Sequence, residues 1–313
     1  MSDGRVWIVG GGANPTNRDL ISRWTAGGVD VRLITPDAAL GRVRPDDIAI
    51  GRIDVRGSLD GVEPGLLALH ELVRRGVHVL NRPGPILAAH DKLRTARALA
   101  ARRLPHPRTA HLVPGGPVTL EPPLVVKPRF GSWGIDVYRC LTDEDVVEVL
   151  ELLSGRDWFR RGGAVVQEYV PTEGHDLRVL VAGGHVVGAT RRVAAPGEWR
   201  TNVYLGATKL PAELSPEASA LAVAAVDALG GDLFGVDLLP LPDNRYVVIE
   251  VNAAVDFDSR YSLGSGDVHA DVAFALDVFR LARTSDGIFA RRALNTSRAV
   301  RTPVTQLERR RIR

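Results

Sequence analysis

Apolar positions along the chain fall into short strand-like runs separated by amphipathic stretches. "RVWIV" (5–9) reads as a short buried strand, "GGGANPTN" as a glycine turn feeding an amphipathic helix around Arg18 to Ala26, and "VDVRLIT" as the next strand. "DIAIGRIDV", a helix about Gly65 to Arg75 and the strand "VHVLN" ending at Asn81 complete a small α/β unit. In "RPGP" (82–85) two prolines flank a glycine, which predicts a hinge. The alanines, leucines and arginines of "AAHDKLRTARALAARRL" then favour helix. Lys92 falls near its N-terminus, where the helix dipole disfavours a cation, so something else must need the charge.

From residue 124 the pattern becomes strand, glycine loop, strand: "LVVK", "PRFGSWG", "IDVYRC". A helix about Asp143 to Leu153 and the strand "AVVQEYV" follow, and "LRVLVAGGHVVGATRRV" alternates about a Gly183-Gly184 turn. The last strand pair, "LFGVDLLPL" and "RYVVIEVN", carries the densest chemistry. A hairpin turning about Asp243-Asn244 sets Asp237 directly across from Glu250, with Asn252 on the same face as Glu250. Two carboxylates opposed among valine, leucine and isoleucine repel and lose hydration unless a cation sits between them. An Asp, Glu and Asn oxygen set suits magnesium, which keeps several waters and takes further ligands from substrate phosphates.

Composition sharpens one part of this picture. Of the 40 lysines and arginines only Lys92, Lys127 and Lys209 are lysines, so a retained lysine is a candidate for work that needs a compact point charge, such as holding a phosphate. Lys127 stands immediately before the glycine loop, whose backbone N–H groups can approach phosphate oxygens. Lys209 reads as surface and is expected to tolerate arginine. At 313 residues, 45% apolar and 25% charged, the chain is ordinary globular protein of about two domains.

The formal charge of +3 is uneven, because residues 291–313 hold eight arginines and one glutamate and the rest is mildly acidic. A nucleic-acid partner would rest on that tail alone, and the tail has no interleaved aromatics. The single cysteine, Cys140, excludes an internal disulfide. The start "MSDGRVWIVGGG" lacks a signal-peptide pattern, and no apolar run approaches the ~20 residues of a membrane span, so no membrane and a cytoplasmic location are expected. Gly10, Gly11 and Gly12 lack the G-x-G-x-x-G spacing, so their turn reads as structural and not as a dinucleotide site.

The order of features is a lysine helix, a lysine before a glycine loop, a Q-E-Y-V strand, D-x-R, then Asp and E-x-N on paired strands. In that order the chain resembles the ATP-grasp ligases, and specifically the RimK/LysX-like branch, which joins glutamate or another amino acid to an acceptor by an amide bond. The similarity runs from "NRPGPILAAHDKLRT" through "IEVNAAVDF". It implies an α/β (α+β) ATP-grasp fold: a Rossmann-like pre-ATP-grasp domain (1–85), a small central lid subdomain (86–165), a C-terminal subdomain with the metal site (166–290) and a basic, disordered tail (291–313).

The resemblance also implies roles. Lys92 and Lys127 would contact ATP phosphates under the loop Gly131, Ser132, Trp133, Gly134. Gln167, Glu168 and Val170 would border the nucleotide, Glu168 and Val170 holding adenine largely through backbone atoms, with Asp176 at the ribose. Arg178, Arg192, Arg200 and Asn202 would lie around phosphates and substrates, the last three as catalytic groups. Asp237, Glu250 and Asn252 would bind magnesium, or manganese in its place. An amino acid or other carboxylate substrate, a small acidic carrier protein or peptide as acceptor, and a homo-oligomer are the partners implied. The chain departs from relatives on the substrate side, reading Leu205-Gly206-Ala207 where many have Arg-Gly-Gly and "AAVDFD" after E-V-N. A D-alanine-type dipeptide ligase and a non-catalytic nucleotide-binding regulatory module are the alternatives.

Overall fold

The structure, a computed structural model, describes residues 4–281. In chain order its elements are β1 (Val6–Gly10), α1 (Pro15–Ala26), β2 (Val31–Ile34), α2 (Pro36–Arg42), β3 (Ile48–Arg52), α3 (Leu66–Arg74), β4 (His78–Leu80), α4 (Pro83–His90), α5 (Lys92–Ala101), β5 (Thr109–Leu112), β6 (Leu124–Pro128) and β7 (Tyr138–Cys140). They continue with α6 (Asp143–Ser154), α7 (Asp157–Gly162), β8 (Ala164–Glu168), β9 (His175–Ala182), β10 (His185–Val193), β11 (Thr208–Pro211), α8 (Pro216–Leu229), β12 (Leu233–Leu241), β13 (Arg245–Asn252), α9 (Val268–Ala275) and α10 (Val278–Leu281).

Three sheets result. The first is parallel in the order β2-β1-β3-β4, the second antiparallel as β5-β8-β6-β7, and the third antiparallel as β11-β10-β9-β12-β13. The central strands β1 and β3 of the first sheet are buried on both faces, which is why "VWIVG" and "IAIG" read as unbroken apolar runs. Strands of the third alternate. Leu177, Val179, Val181, Val236 and Val251 point into a core shared with α8, and the intervening residues point the other way.

The cores bind the first and third sheets together. Trp7, Val9 and Leu69 pack with Ala222, Phe234 and Val236, while Ile8, Leu20 and Trp24 pack with Leu180, Leu233, Phe257 and Tyr261. A separate core of Leu112, Leu124, Val126, Cys140, Val146, Leu153 and Val166 serves the second sheet. Each such side chain, fully buried, contributes ~1.5–3 kcal/mol from removal of apolar area from water. Asn81, with φ of 56°, stitches the end of β4 to the start of β12: its Nδ2 donates to Leu233 O and its Oδ1 accepts from the Leu233 N–H.

Three local expectations change. "RPGP" is no hinge: Pro83 opens α4, where a missing N–H costs nothing because the first helical N–H groups have no intrahelical partner. The long alanine-rich helix is split at Asp91, whose carboxylate accepts from Leu93 N and Arg94 N and so starts α5 with Lys92 as its first residue. The strand after the glycine loop is only Tyr138–Cys140, because Asp136 turns the chain at φ 53°.

Candidate active site

Strand register lines up the charged residues before any tertiary contact is considered. On one face of the third sheet, Lys209 of β11 pairs with Arg192 of β10, and Arg192 with Asp176 of β9. The neighbouring row runs Thr190, Arg178, Asp237, Glu250 across β10, β9, β12 and β13. Directly opposed side chains share a face, so the two rows bring cations against carboxylates: Arg192 lies against Asp176, and Arg178 against Asp237, with Glu250 next in line.

Asp237 does stand across from Glu250, by a route the simple hairpin count misses. Near the turn the pairing is one residue out of that count (Leu238 with Val248), and a bulge at Ile249 restores it at Asp237. The bulge brings both Ile249 and Glu250 to the cavity wall.

The network is tight. Arg178 donates from Nε and Nη2 to the two carboxylate oxygens of Asp237 at 2.7 and 2.6 Å, and Arg192 Nη2 reaches Asp237 Oδ2 at 2.9 Å. The same Arg192 forks onto Asp176, with Nε to Oδ1 at 2.8 Å, and Thr201 Oγ1 donates to Asp176 Oδ2. Burial would push the Asp237 carboxyl up, but Arg178 and Arg192 outweigh it and hold it at about 2.

Across the cavity stand the two lysines. Lys92 Nζ lies 3.0 Å from Glu250 Oε1 and donates to Gly131 O at 2.7 Å. Lys127 Nζ donates to Gln167 Oε1 at 2.8 Å, and Gln167 in turn donates to Thr109 Oγ1. Burial depresses the Lys127 ammonium to about 8, Glu250 opposing and Lys92 adding to the shift. The glycine loop is anchored below by the Arg129 fork on Asp91 at 2.8 and 2.6 Å. From above, Arg200 holds it, donating to Gly134 O at 2.9 Å while forked on Glu198. Gly134 has φ 76°, and a Cβ there would fall 2.6 Å from Asn202 Oδ1, so only glycine closes this contact.

The resulting cleft holds a cavity of about 130 Å³. Lys92, Lys127, Gly131, Ser132, Trp133 and Gly134 line one side; Gln167 and Glu168 at the end of β8 and Val170 just beyond it line the next; Asp176, Arg192, Arg200, Asn202, Asp237 and Glu250 complete the wall. Arg178 and Asn252 do not line it. Arg178 lies behind Asp237, and the Asn252 Nδ2 is buried without a partner. Tyr169, Leu239 and Ile249, which lie within the strands singled out by sequence but were not named, also line the cleft, and so do Trp199 and Thr201, which carried no sequence signal. Arg139 stacks on both Tyr169 and Trp199 at its mouth, 5.5 and 5.4 Å from the ring centres. Lys209 is no free surface residue: it sits on the charged face, 3.5 Å from Asp258 Oδ2 and 5.5 Å over the Tyr261 ring.

Among the described residues no three acidic, histidine or cysteine side chains form a ready-made cage for a divalent cation. Magnesium requires no such cage, since it uses one or two carboxylates plus phosphate oxygens, and the opposed carboxylates of Asp237 and Glu250 are donors of that kind. Both Asp237 oxygens are engaged by Arg178 and Arg192, and the unpartnered Asn252 atom, Nδ2, is a hydrogen-bond donor and not a cation ligand.

Residues 89–273 match the family model of the RimK-like ATP-grasp domain, more than half of the chain. The chain belongs to the RimK-like ATP-grasp family. This RimK-like protein is 32% identical over 222 residues to a probable alpha-L-glutamate ligase 1 of Shewanella amazonensis, covering 69% of this chain and 71% of that one. It is 31% identical over 224 residues to beta-citrylglutamate synthase B of Homo sapiens, covering 67% and 56%. In fold it is similar to the RimK domain ATP-grasp protein from Sphaerobacter thermophilus, with TM-score 0.63, 21% identity, and 87% and 99% of the two chains covered. It is also similar to D-alanine–D-alanine ligase from Bacillus anthracis complexed with ATP, with TM-score 0.62, 16% identity and 95% and 100% covered. The α/β ATP-grasp fold is thereby shown, and no helix among the described residues is long and apolar enough to cross a membrane.

Proposed function

We propose that the cleft binds magnesium–ATP and that the enzyme joins an amino acid to a peptide or amino-group carrier acceptor through an acyl phosphate. The coarser activity is that of the family: the chain is an ATP-grasp ligase that forms a carbon–nitrogen bond between an acid and an amino compound. The observation that carries the finer reading is the convergence of the Lys92 and Lys127 ammonium groups with Glu250 beneath the glycine loop.

In this reading Lys92, Lys127 and the backbone of Gly131–Gly134 receive the phosphates, with Gln167 fixing the Lys127 ammonium. Glu168 and Val170 offer backbone atoms to adenine. Asp176, bonded to Arg192 and Thr201, acts by aiming Arg192 at the phosphates. Arg178 and Arg192 exchange part of their contact with Asp237 for ligand oxygens, which frees carboxylate oxygen for metal alongside Glu250 and Asn252. When bound, the metal would be held by Asp237, Glu250 and Asn252 and would supply neutralisation of phosphate charge. Arg200 and Asn202, already at the rim of the glycine loop, hold the activated carboxylate. No covalent nucleophile is required, since positioning and charge neutralisation lower the barrier to phosphoryl transfer.

The test is ADP release in the presence of ATP, magnesium and a panel of amino acids with cell extract, followed by mass spectrometry of products. ADP formation that depends on an added carboxylate and yields an amide supports the reading. ADP formation indifferent to carboxylate overturns it.

A further inference from the structure

A second cluster of charge lies outside the ATP cleft, where the first sheet ends. Its strand order, β2-β1-β3-β4, reverses direction between β1 and β3, and ligands of open parallel sheets bind in the crevice beyond the carboxyl ends of strands at such a point. Beyond β1 and β3 here are the Gly10–Gly12 turn, Arg52, Asp54 and Glu63, facing the loop after β13 that carries Asp256.

The parts are in mutual contact. The Glu63 carboxylate lies where a side chain on Gly11 would begin, 3.3 Å from that Cβ position, and accepts from the Asp54 N–H at 3.3 Å. Arg52 Nε donates to Asn17 Oδ1, and Asn17 donates to Gly12 O, so the guanidinium lies beneath the turn. Its Nη2 reaches Val255 O at 2.9 Å and Asp256 Oδ1 at 3.4 Å, and Asn14 Nδ2 also donates to Asp256.

The charges do not balance. Three carboxylates face one guanidinium, and neither Asp54 nor Glu63 forms an ion pair among the described residues. Burial, Asp256 and Glu250 raise the Asp54 carboxyl, while the Val55 N–H and Arg52 lower it. Arg52 grips the carbonyls of Ala254 and Val255, and this loop follows directly on β13, whose last residues include Glu250 and Asn252, so the crevice adjoins that end of the ATP cleft. Arg52, only 3% exposed, has an Nη1 donor with no partner. A buried, unpaired guanidinium N–H costs stability that an incoming acceptor oxygen would recover. A crevice with surplus carboxylate and one unfilled cationic donor is complementary to a group that carries an ammonium next to a carbonyl or carboxylate.

We propose that this crevice is the subsite for the amine partner of the ligation, holding an α-ammonium group on Asp54, Glu63 and Asp256 and the adjoining carbonyl or carboxylate oxygen on Arg52. The partner's amine is therefore an α-amine, of a free amino acid or a peptide N-terminus, and not a lysine side chain, which has no oxygen at that spacing. Docking there sets the nitrogen beside the Glu250 end of the cleft, where the activated carboxylate is made. The carboxylates also offer a resting place for the proton the ammonium must lose before it attacks. This inference rests on the ligase reading above.

The experiment uses the full chain with ATP, magnesium and the amino-acid panel, and runs a parallel reaction in which hydroxylamine, a neutral amine that needs no ammonium contact, is the nucleophile. In Asp54→Asn, Glu63→Gln and Asp256→Asn the ratio of amide to hydroxamate formation should fall ~10-fold or more, the scale of losing one hydrogen bond to a charged group. The KM for the α-amine should rise without a matching rise for ATP. Asp256, on an exposed loop, is the variant least able to disturb the fold. An unchanged ratio in all three, with wild-type hydroxamate formation intact, overturns the subsite alone. Efficient use of Nα-acetyl-lysine in place of an α-amine also overturns it. A wild-type enzyme that forms neither amide nor hydroxamate overturns the ligase reading and this subsite with it.

Discussion

Lys92 Nζ lies 3.0 Å from Glu250 Oε1 while donating to Gly131 O, so one ammonium ties the start of α5, the glycine loop and β13 together. The helix dipole opposes a cation at this position, and the carboxylate and carbonyl offset that opposition. Lys92→Met should leave Glu250 without its partner and the loop without its tie. Turnover is expected to fall by ~100-fold, on the scale of losing one charge-stabilising group. Loss of less than tenfold in kcat/KM, with the fold verified by circular dichroism, would remove Lys92 from the site.

Lys127 makes the pH dependence specific. Its ammonium is depressed to about 8 by burial, from 10.5 in the unfolded chain. Between those values the unfolded state holds more protons than the folded one, so this group makes the ligand-free protein more stable as pH rises from about 8 to about 10.5. Polyphosphate beside the amine reverses the shift. ATP binding at pH 8–9 should therefore take up a proton, and the KM for ATP should climb above pH 8. Titration calorimetry in buffers of different ionisation enthalpy reads the uptake directly. Lys127→Arg should abolish it and fail nearly as badly as Lys127→Ala, because a planar fork cannot replace a point charge held by Gln167 in a confined space.

How much of this was legible follows from particular residues. The opposition of Asp237 and Glu250 was readable because strand pairing is a counting rule, but the count held only through the bulge at Ile249, and no residue type announces a bulge there. The positions of Lys92 and Lys127 were readable from the rarity of lysine. Lys209 misled, since its burial against Tyr261 and Asp258 depends on a segment about fifty residues further along the chain and not on its neighbours in sequence. Thr201 and Trp199 were invisible because their place at the cleft likewise depends on distant segments. "RPGP" misled because proline that ends one element can begin the next, and α2 was missed because its seven residues are too few to display a period.

Arg192 is the keystone of the buried network, bonded to both Asp176 and Asp237. Arg192→Ala should cost ~3–5 kcal/mol, since it strands carboxylates away from water. Asp237→Asn should be milder for folding and lower turnover by ~100-fold. The Asp237 carboxyl is held at about 2, below its unfolded 3.8, so its stabilising contribution is full above about pH 4 and is lost as pH falls toward 2. Urea titrations at pH 7 and pH 3 should show that loss in the wild type and not in Asp237→Asn. Equal acid sensitivity of the two proteins would contradict it.

Gly134→Ala tests the loop's closing contact. An alanine there must adopt φ near 76° and place its Cβ 2.6 Å from Asn202 Oδ1, which pushes the segment bearing Arg200 and Asn202 away. Gly131→Ala meets only the Pro128 side chain at 3.1 Å and has no positive φ to satisfy. Turnover should fall more than ~10-fold in the first and only slightly in the second. The strain, ~1–3 kcal/mol, falls on a buried position, so Gly134→Ala should also melt several degrees below Gly131→Ala. Equal activity of the two variants would mean that the loop does not close this way during the reaction.

The mouth of the cleft bears on the size of the acceptor. Trp133 and Tyr204 stand on facing loops with ring centres 6.4 Å apart and are 44% and 69% exposed. Val203 beside them is also exposed. Solvating two large aromatic rings at the rim of a site is costly unless a partner covers them, and Tyr and Trp are the residues that interfaces most often use as anchors. A free amino acid is too small to reach these rings and the activated carboxylate together. Trp133→Ser and Tyr204→Ser should therefore raise the KM for a peptide or carrier-protein acceptor by ~10-fold, the scale of losing an aromatic anchor, and leave hydroxylamine trapping of the activated carboxylate near wild type. A matching loss with hydroxylamine would assign the rings to the nucleotide side of the cleft, and no change with either nucleophile would leave the acceptor a small molecule.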